Sequence, residues 1–150
     1  MSAAVRAVTV GDVAAVQAMA ARFLSPDGPY GDRFQAAPDR IAILVQLMTA
    51  EGETAMGFIA EQAGVPVGMF GVFCLIHPIT GAYMASELCW WMEPEARGSR
   101  VALRLLRAGE AWARARGAAY LEMIAPSERV ASFYGRLGYT RTDVHYLKRL

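Results

Sequence analysis

Lysine is almost missing from this sequence. Lys148 is the only one, so arginine supplies nearly all of the 15 basic side chains. Two cysteines and two histidines in 150 residues are too few, and too far apart, for a zinc site, so no metal is expected. Cys74 and Cys89 each lie in an apolar, strand-like run and read as buried thiols of a reducing compartment. Long apolar runs are missing too. Although 55% of the residues are hydrophobic, no stretch approaches the roughly 20 uninterrupted apolar residues of a membrane helix, and no membrane partner is expected. Met1 to Arg6 lacks a charged region leading into an apolar run, so no signal peptide is evident and a cytoplasmic location is expected. Nor is there an excess of one charge. A formal net charge of +1 gives no electrostatic reason to expect nucleic acid as a partner.

What is present is a clear alternation of periods. Val5 to Val10 reads as a short strand, and Thr9-Val10-Gly11-Asp12 carries the Thr-x-x-acid signal of a helix start. Val13, Val16, Ala20 and Phe23 follow at helical spacing, predicting a helix to about Leu24. A Pro- and Gly-rich loop through Gly31 leads to a second predicted helix over 39–50. From Ala55 the period changes to that of strands: 55–61, 66–76 and 82–93, joined by short turns that favour antiparallel neighbours. A long helix over 99–116, closed by Gly117, precedes a strand over 120–124, a helix over 127–137 and a last strand over 139–148. No internal repeat stands out. The order predicts one mixed α/β (α+β) domain over 1–150, a mainly antiparallel central sheet with helices on both faces.

The stretch from Trp91 to Leu103 says most about chemistry. A strand is stopped at Pro94, which cannot donate to a ladder, and a turn carrying Arg97 and Gly98 opens the long helix. The first amides of a helix lack partners and its dipole favours negative charge, so this is a place for an anion. Gly98 permits close approach to the backbone, Ser99 can cap or donate, and Arg97 and Arg100 add cationic charge; phosphate or pyrophosphate is the ligand that fits. The alternative is an ordinary strand-to-helix turn with a solvated arginine face, since Arg100, Arg104, Arg107 and Arg114 recur at helical spacing.

Residues 92–102, Met-Glu-Pro-Glu-Ala-Arg-Gly-Ser-Arg-Val-Ala, resemble the acetyl-CoA-binding motif of the GNAT N-acetyltransferases, Arg/Gln-x-x-Gly-x-Gly/Ala after a hydrophobic-x-Pro-Glu lead-in. Residues 131–139, Ala-Ser-Phe-Tyr-Gly-Arg-Leu-Gly-Tyr, resemble the family's second signature, an aromatic-Tyr pair with a Leu-Gly-aromatic ending. The element order is similar from Val5 onward. Two positions depart from the pattern. Arg100 stands where Gly is usual, and either links directly to phosphate or closes the site. Ser127 stands where many members carry an Asn that bonds the coenzyme.

The resemblance implies acetyl-CoA as co-substrate and an amine as acceptor, either a small molecule or a peptide. It implies that the strand ending at Met92 offers backbone groups to the pantetheine arm. It further implies that Arg97, Gly98, Ser99, Arg100, Val101 and Ala102 hold the pyrophosphate, with Ser127 and Phe133 as further coenzyme contacts. An ammonium cannot attack a thioester, so a base is needed. Glu87, alone in an apolar strand, is the candidate, because a half-buried carboxylate has a raised pKa; otherwise it faces solvent. Tyr134 matches the family tyrosine that protonates the departing thiolate; otherwise it is a packing aromatic. Tyr30 and Phe34 are placed to line the acceptor pocket, and Trp90 and Trp91 to face opposite ways as core and site wall. His77, before Pro78, reads as a turn cap, and His145 lies in the last predicted strand. The second reading is a non-catalytic coenzyme-binding or interaction protein that keeps this fold. A homodimer is compatible with either reading.

Overall fold

The computed structural model describes residues 3–150. Five strands form one sheet in the order β1 (Ala3–Ala7), β2 (Ala55–Gln62), β3 (Val65–Ile76), β4 (Tyr83–Met92), β5 (Tyr120–Glu122). The first four are antiparallel neighbours, and β5 runs parallel to β4. Loop length explains the difference. β2 and β3 are joined by Ala63 and Gly64, both at positive φ (50° and 77°), the two-residue hairpin turn whose twist matches the strands. β4 and β5 are separated by a whole helix, as a parallel crossover requires.

Helices cover both faces, as the hydrophobic periods predict. Helix α3 (Arg100–Ala115) buries Val101, Leu105, Leu106, Gly109, Trp112 and Ala113, spacings that repeat every 3.6 residues on one stripe. Its partners across the sheet include Phe70, Val72, Ala85 and Met92. Leu105 and Leu106 are fully buried, each contributing about 1.5–3 kcal/mol. Gly109 sits directly against the Phe70 ring, where any added Cβ would collide. On the opposite face, helices α1 (Val13–Phe23) and α2 (Pro38–Leu47) pack Met19 and Val45 onto Ile59, Met69 and Trp91. The predicted helix start at Thr9 is present: the Asp12 carboxylate accepts from the Thr9 amide at 2.8 Å and also from Arg6 at 2.7 Å.

The end of the chain differs from expectation. No strand forms over 139–148, and residues 140–150 are exposed. Alternation there offers few apolar groups, and its natural neighbour, β5, is only three residues long. Tyr139 instead turns its hydroxyl to Glu110, donating at 2.7 Å, and His145 lies 3.5 Å from Asp143 on the surface, outside any strand. Strand β5 is also shorter than its pattern suggests. The Ile124 amide that would extend it donates to Glu87 instead. Helix α4 (Glu128–Arg136) follows, with the Ser127 hydroxyl accepting from the Val130 amide at 3.3 Å as its cap.

Candidate active site

The site lies where β4 loses its regular partners on both sides. Toward β3, Gly71 pairs with Cys89 and Val72 with Glu87, which leaves Leu88 as an extra residue in a bulge. Toward β5, pairing ends at Ser86 and Glu122. From Glu87 to Met92 the β5-side edge of β4 therefore has no strand beside it among the described residues. That leaves a row of backbone donors and acceptors, open apart from the Met92 carbonyl, which accepts from Arg97, and suited to an extended ligand laid in as a strand.

Glu87 stands at the fork. It is 8% exposed, so the solvent-facing alternative does not describe it. Its Oε2 accepts from the Ile124 amide at 2.9 Å. Burial pushes its pKa up to about 7, against the downward pull of that hydrogen bond. Desolvation wins because one neutral donor replaces the several waters a carboxylate would otherwise hold. Tyr134, buried on α4, donates its hydroxyl to the carbonyl of the same residue, Ile124, at 3.2 Å. Burial, and next the charge of Glu87, hold this phenol well above its usual range, so it keeps its proton. The candidate base and acid thus grip the two polar ends of one residue. Trp90 stacks on Tyr134 with centroids 6.0 Å apart and planes within 19°, and Phe133 closes the cluster at 6.1 Å from Trp90.

The other strand-end residues converge on the turn before α3. Arg97 donates from Nε to the Met92 carbonyl at 3.1 Å and lays its guanidinium 4.7 Å over the Trp91 ring. Gly98 has φ of 71°, a conformation that costs any residue with a Cβ about 1–2 kcal/mol. Ser99 occupies the position before the helix, yet its hydroxyl donates to the Ala96 carbonyl at 2.6 Å and caps no helix amide. No acidic residue lies in the first turn of α3. Arg100 is exposed at its first position, while Val101 directs its side chain into the core and Ala102 is half-buried. These features fit a pyrophosphate: helix amides without a side-chain cap, a glycine turn, and cations beside them. Ser127, capping α4, sits three residues beyond Ile124.

Trp90 and Trp91 do face opposite ways, toward α3 and toward α1 respectively. From Trp91 an edge-to-face chain runs through Phe23 and Tyr30 to Phe34, with centroid steps of 6.1, 5.3 and 5.6 Å. The Tyr30 phenol is raised by burial and next by the charges of Glu87 and Cys89. Cys89 itself is pushed up to about 12 by burial and stays a thiol. His77 accepts at Nδ1 from the Ile79 and Thr80 amides at 3.3 and 3.2 Å, the turn cap predicted for it. Among the described residues no group of three or more His, Cys, Asp or Glu is placed to hold a metal ion, and no helix is long and apolar enough to cross a membrane. Two participants escaped the sequence reading. Ile124 acts through its backbone, which leaves no trace in residue type. The Leu88 bulge is a register event with no compositional mark.

Comparison with known proteins bears on this geometry. A family model described as Acetyltransferase (GNAT) family matches residues 18–139. No curated protein matches in a sequence comparison. Among solved structures, a ribosomal-protein-alanine N-acetyltransferase from Brucella melitensis biovar Abortus superposes with a TM-score of 0.75 at 17% identity, over 100% of both chains. A protein described as a "predicted acetyltransferase with acetyl-CoA", from Clostridium acetobutylicum, gives 0.80 at 16% identity, over 99% of this chain and 96% of that one. A transcriptional regulator from Bacillus halodurans gives 0.79 at 18%, over 99% and 100%. At such identities these likenesses describe the fold.

Proposed function

The chain belongs to the acetyltransferase (GNAT) family, and from that membership we propose that it transfers an acetyl group from acetyl-CoA to a primary amine by direct attack within a ternary complex. The observation that carries the reading is the fork at Glu87, where a buried carboxylate and a buried phenol share the amide and carbonyl of Ile124. The coenzyme supplies an activated acyl group as a thioester. The turn from Arg97 to Ala102 holds its pyrophosphate, the free edge of β4 up to Met92 takes its arm, and Ser127 and Phe133 flank it.

Glu87, with its pKa near 7, accepts the proton that the amine must lose to become a nucleophile, directly or through one water. The amine nitrogen bonds to the acyl carbon, the carbon–sulfur bond breaks with its electron pair on sulfur, Tyr134 gives that sulfur its proton, and the second proton that the new amide nitrogen sheds returns to the phenolate, directly or through water. A phenol kept neutral by burial is always in the donor form for this step, and its neighbour Glu87, once protonated, no longer disfavours the phenolate left behind. Arg100 joins the phosphate cradle from the first turn of α3.

Thermal unfolding with and without acetyl-CoA tests the coenzyme site. Ligand at 100 times its Kd adds about 2.7 kcal/mol, roughly 5–10 °C in Tm for a domain of this size. Adenosine nucleotides lacking the arm should give a smaller shift. No shift at millimolar acetyl-CoA would give the lead to a fold-retaining interaction protein.

A further inference from the structure

The outer edge of β5 ends the sheet without a neighbour among the described residues. On its inner side the Ala119 amide donates to the Tyr83 carbonyl of β4 at 2.9 Å. Backbone groups alternate sides along a strand, so those of Leu121 also face β4, and the amides and carbonyls of Tyr120 and Glu122 face outward. None of these four outward groups has a hydrogen-bond partner among the described residues. Beside them lies a groove of about 260 Å³, lined by Glu110 and Arg114 of α3, Tyr120 and Leu121 of β5, and Leu137 and Tyr139. The end of the chain is the other loose piece. Residues 140–150 are exposed and belong to no element, although Thr142, Val144 and Tyr146 stand at alternate positions and are residue types that strands favour. Tyr146 is 94% exposed, and Tyr120, on the bare edge, 67%. One molecule thus carries a sheet edge without a strand and a strand without a sheet.

We propose that a second copy of this chain joins the two: residues 142–148 of one copy pair along β5 of the other, whose own tail is taken up in return, giving a twofold homodimer. The inference is independent of the transferase reading. Direction argues against the chain closing on its own edge. The tail leaves the groove at Tyr139, whose amide donates to the Tyr134 carbonyl at 3.1 Å. Arg141 then donates to Glu128, at the start of α4 and beyond the end of β5, at 3.1 Å. To run back along β5 the chain would have to reverse between Arg141 and Val144. No Gly or Asn stands there, and no residue after Gly138 has a positive φ, so a tight hairpin turn has nothing to build on. A strand arriving from another copy needs no reversal, and a short connection that cannot turn back favours exchange. Length and charge fit as well. Seven extended residues reach about 23 Å, enough to span the three residues of β5 and the groove beside them. β5 carries one charge, Glu122, whereas Lys148 and Arg149 lie in the tail, and opposite charges across a ladder are favourable.

Light scattering on the full chain at tens of micromolar should give twice the chain mass, and hydrogen exchange should show protected amides within 142–148. Tyr146→Pro and Leu147→Pro then probe the ladder. Adjacent amides point to opposite sides, so one of these variants removes a donor to β5 and the other a donor to water, where proline is tolerated. A ladder bond is worth about fivefold in affinity. The twofold arrangement loses it twice, so one variant should raise the dimer Kd about 30-fold and the other should change it much less. Both should keep the far-UV spectrum of the parent, since Tyr146 and Leu147 are exposed in the single chain. A monomeric parent overturns the proposal; protected tail amides in that monomer would return the tail to its own β5. A dimer whose tail amides exchange freely, or one that neither proline weakens, overturns it too by placing the interface elsewhere.

Discussion

Replacing Glu87 by Gln should make the protein slower and, at alkaline pH, more stable. In the folded chain the Glu87 pKa rises from 4.5 to about 7. The sign follows from proton binding: the native state holds this proton more tightly than the unfolded chain. The stabilisation from protonated Glu87 is complete below about pH 4.5, fades as pH rises, and is gone above about pH 7. At about 1.4 kcal/mol per tenfold change in proton affinity, the rise amounts to about 3 kcal/mol. Gln removes the buried charge yet keeps an oxygen to accept from the Ile124 amide. Its own NH2 must find a partner, so a gain of about 1–3 kcal/mol at pH 8 is expected, or roughly 3–10 °C in Tm. At pH 4 the difference should vanish or reverse. Turnover should fall by about 10²–10⁴, and the acid limb of kcat/KM, placed near pH 7 in the parent, should disappear. Melting curves of parent and variant at pH 4 and pH 8, with pH–rate profiles, check both halves. Parallel stability curves across that range would refute the buried-charge argument. An acid limb that persists in the variant would refute the base assignment.

Tyr134→Phe should lower kcat by about 10²-fold or more with the acetyl-CoA thermal shift retained, and cost about 1 kcal/mol in chemical denaturation for the lost bond to Ile124. Gly98→Ala has open space for its Cβ, so its cost is backbone strain alone, about 1–2 kcal/mol by denaturation; calorimetry should show weaker coenzyme binding as the turn relaxes. Arg100→Ala should raise the coenzyme Kd about two- to fivefold at low salt, an exposed ion pair's worth, and flatten its salt dependence; tighter binding would mean that the side chain obstructs the site. Arg6→Met should remove the pairing that holds Asp12 at about 2. That pairing stabilises above about pH 4 and is lost as pH falls toward 2, so parent and variant melting temperatures should converge in acid.

The parts of this fold that were legible in the sequence are those set by local physics. The stripe of Val101, Leu105, Leu106 and Trp112 declares both a helix and its buried face, and Gly98 declares a left-handed turn before it. Glu87 was legible as a candidate because a lone carboxylate in an apolar strand requires an explanation. What joins Glu87 to Tyr134 was not. That link runs through the peptide groups of Ile124, and any residue except proline at 124 carries both of them. The hollow that small residues leave on the α1–α2 face escaped for a related reason, since Gly57, Gly71 and Cys89 become neighbours only when three strands take up register. The last predicted strand failed in the opposite direction. Alternation over 139–148 satisfies the local pattern, but a strand needs a partner edge, and β5 stops where Ile124 turns its amide to Glu87.

These departures gather in one place. The bulge at Leu88, the end of the β4–β5 ladder at Ser86, the buried carboxylate and the helix start without a side-chain cap all lie along one end of β4. Each is unfavourable alone: a lost ladder bond, a desolvated charge, amides without protein acceptors. Other parts of the chain carry single departures, such as the register shift at Ala60/Glu61 and the start of α2 without a side-chain cap, beside a two-residue hairpin turn at Ala63–Gly64, a capped α4 and a doubly paired Arg6. That four of them adjoin the fork suits a site built to receive another molecule, since each unmet group there is one that a thioester, its pyrophosphate or an amine can satisfy.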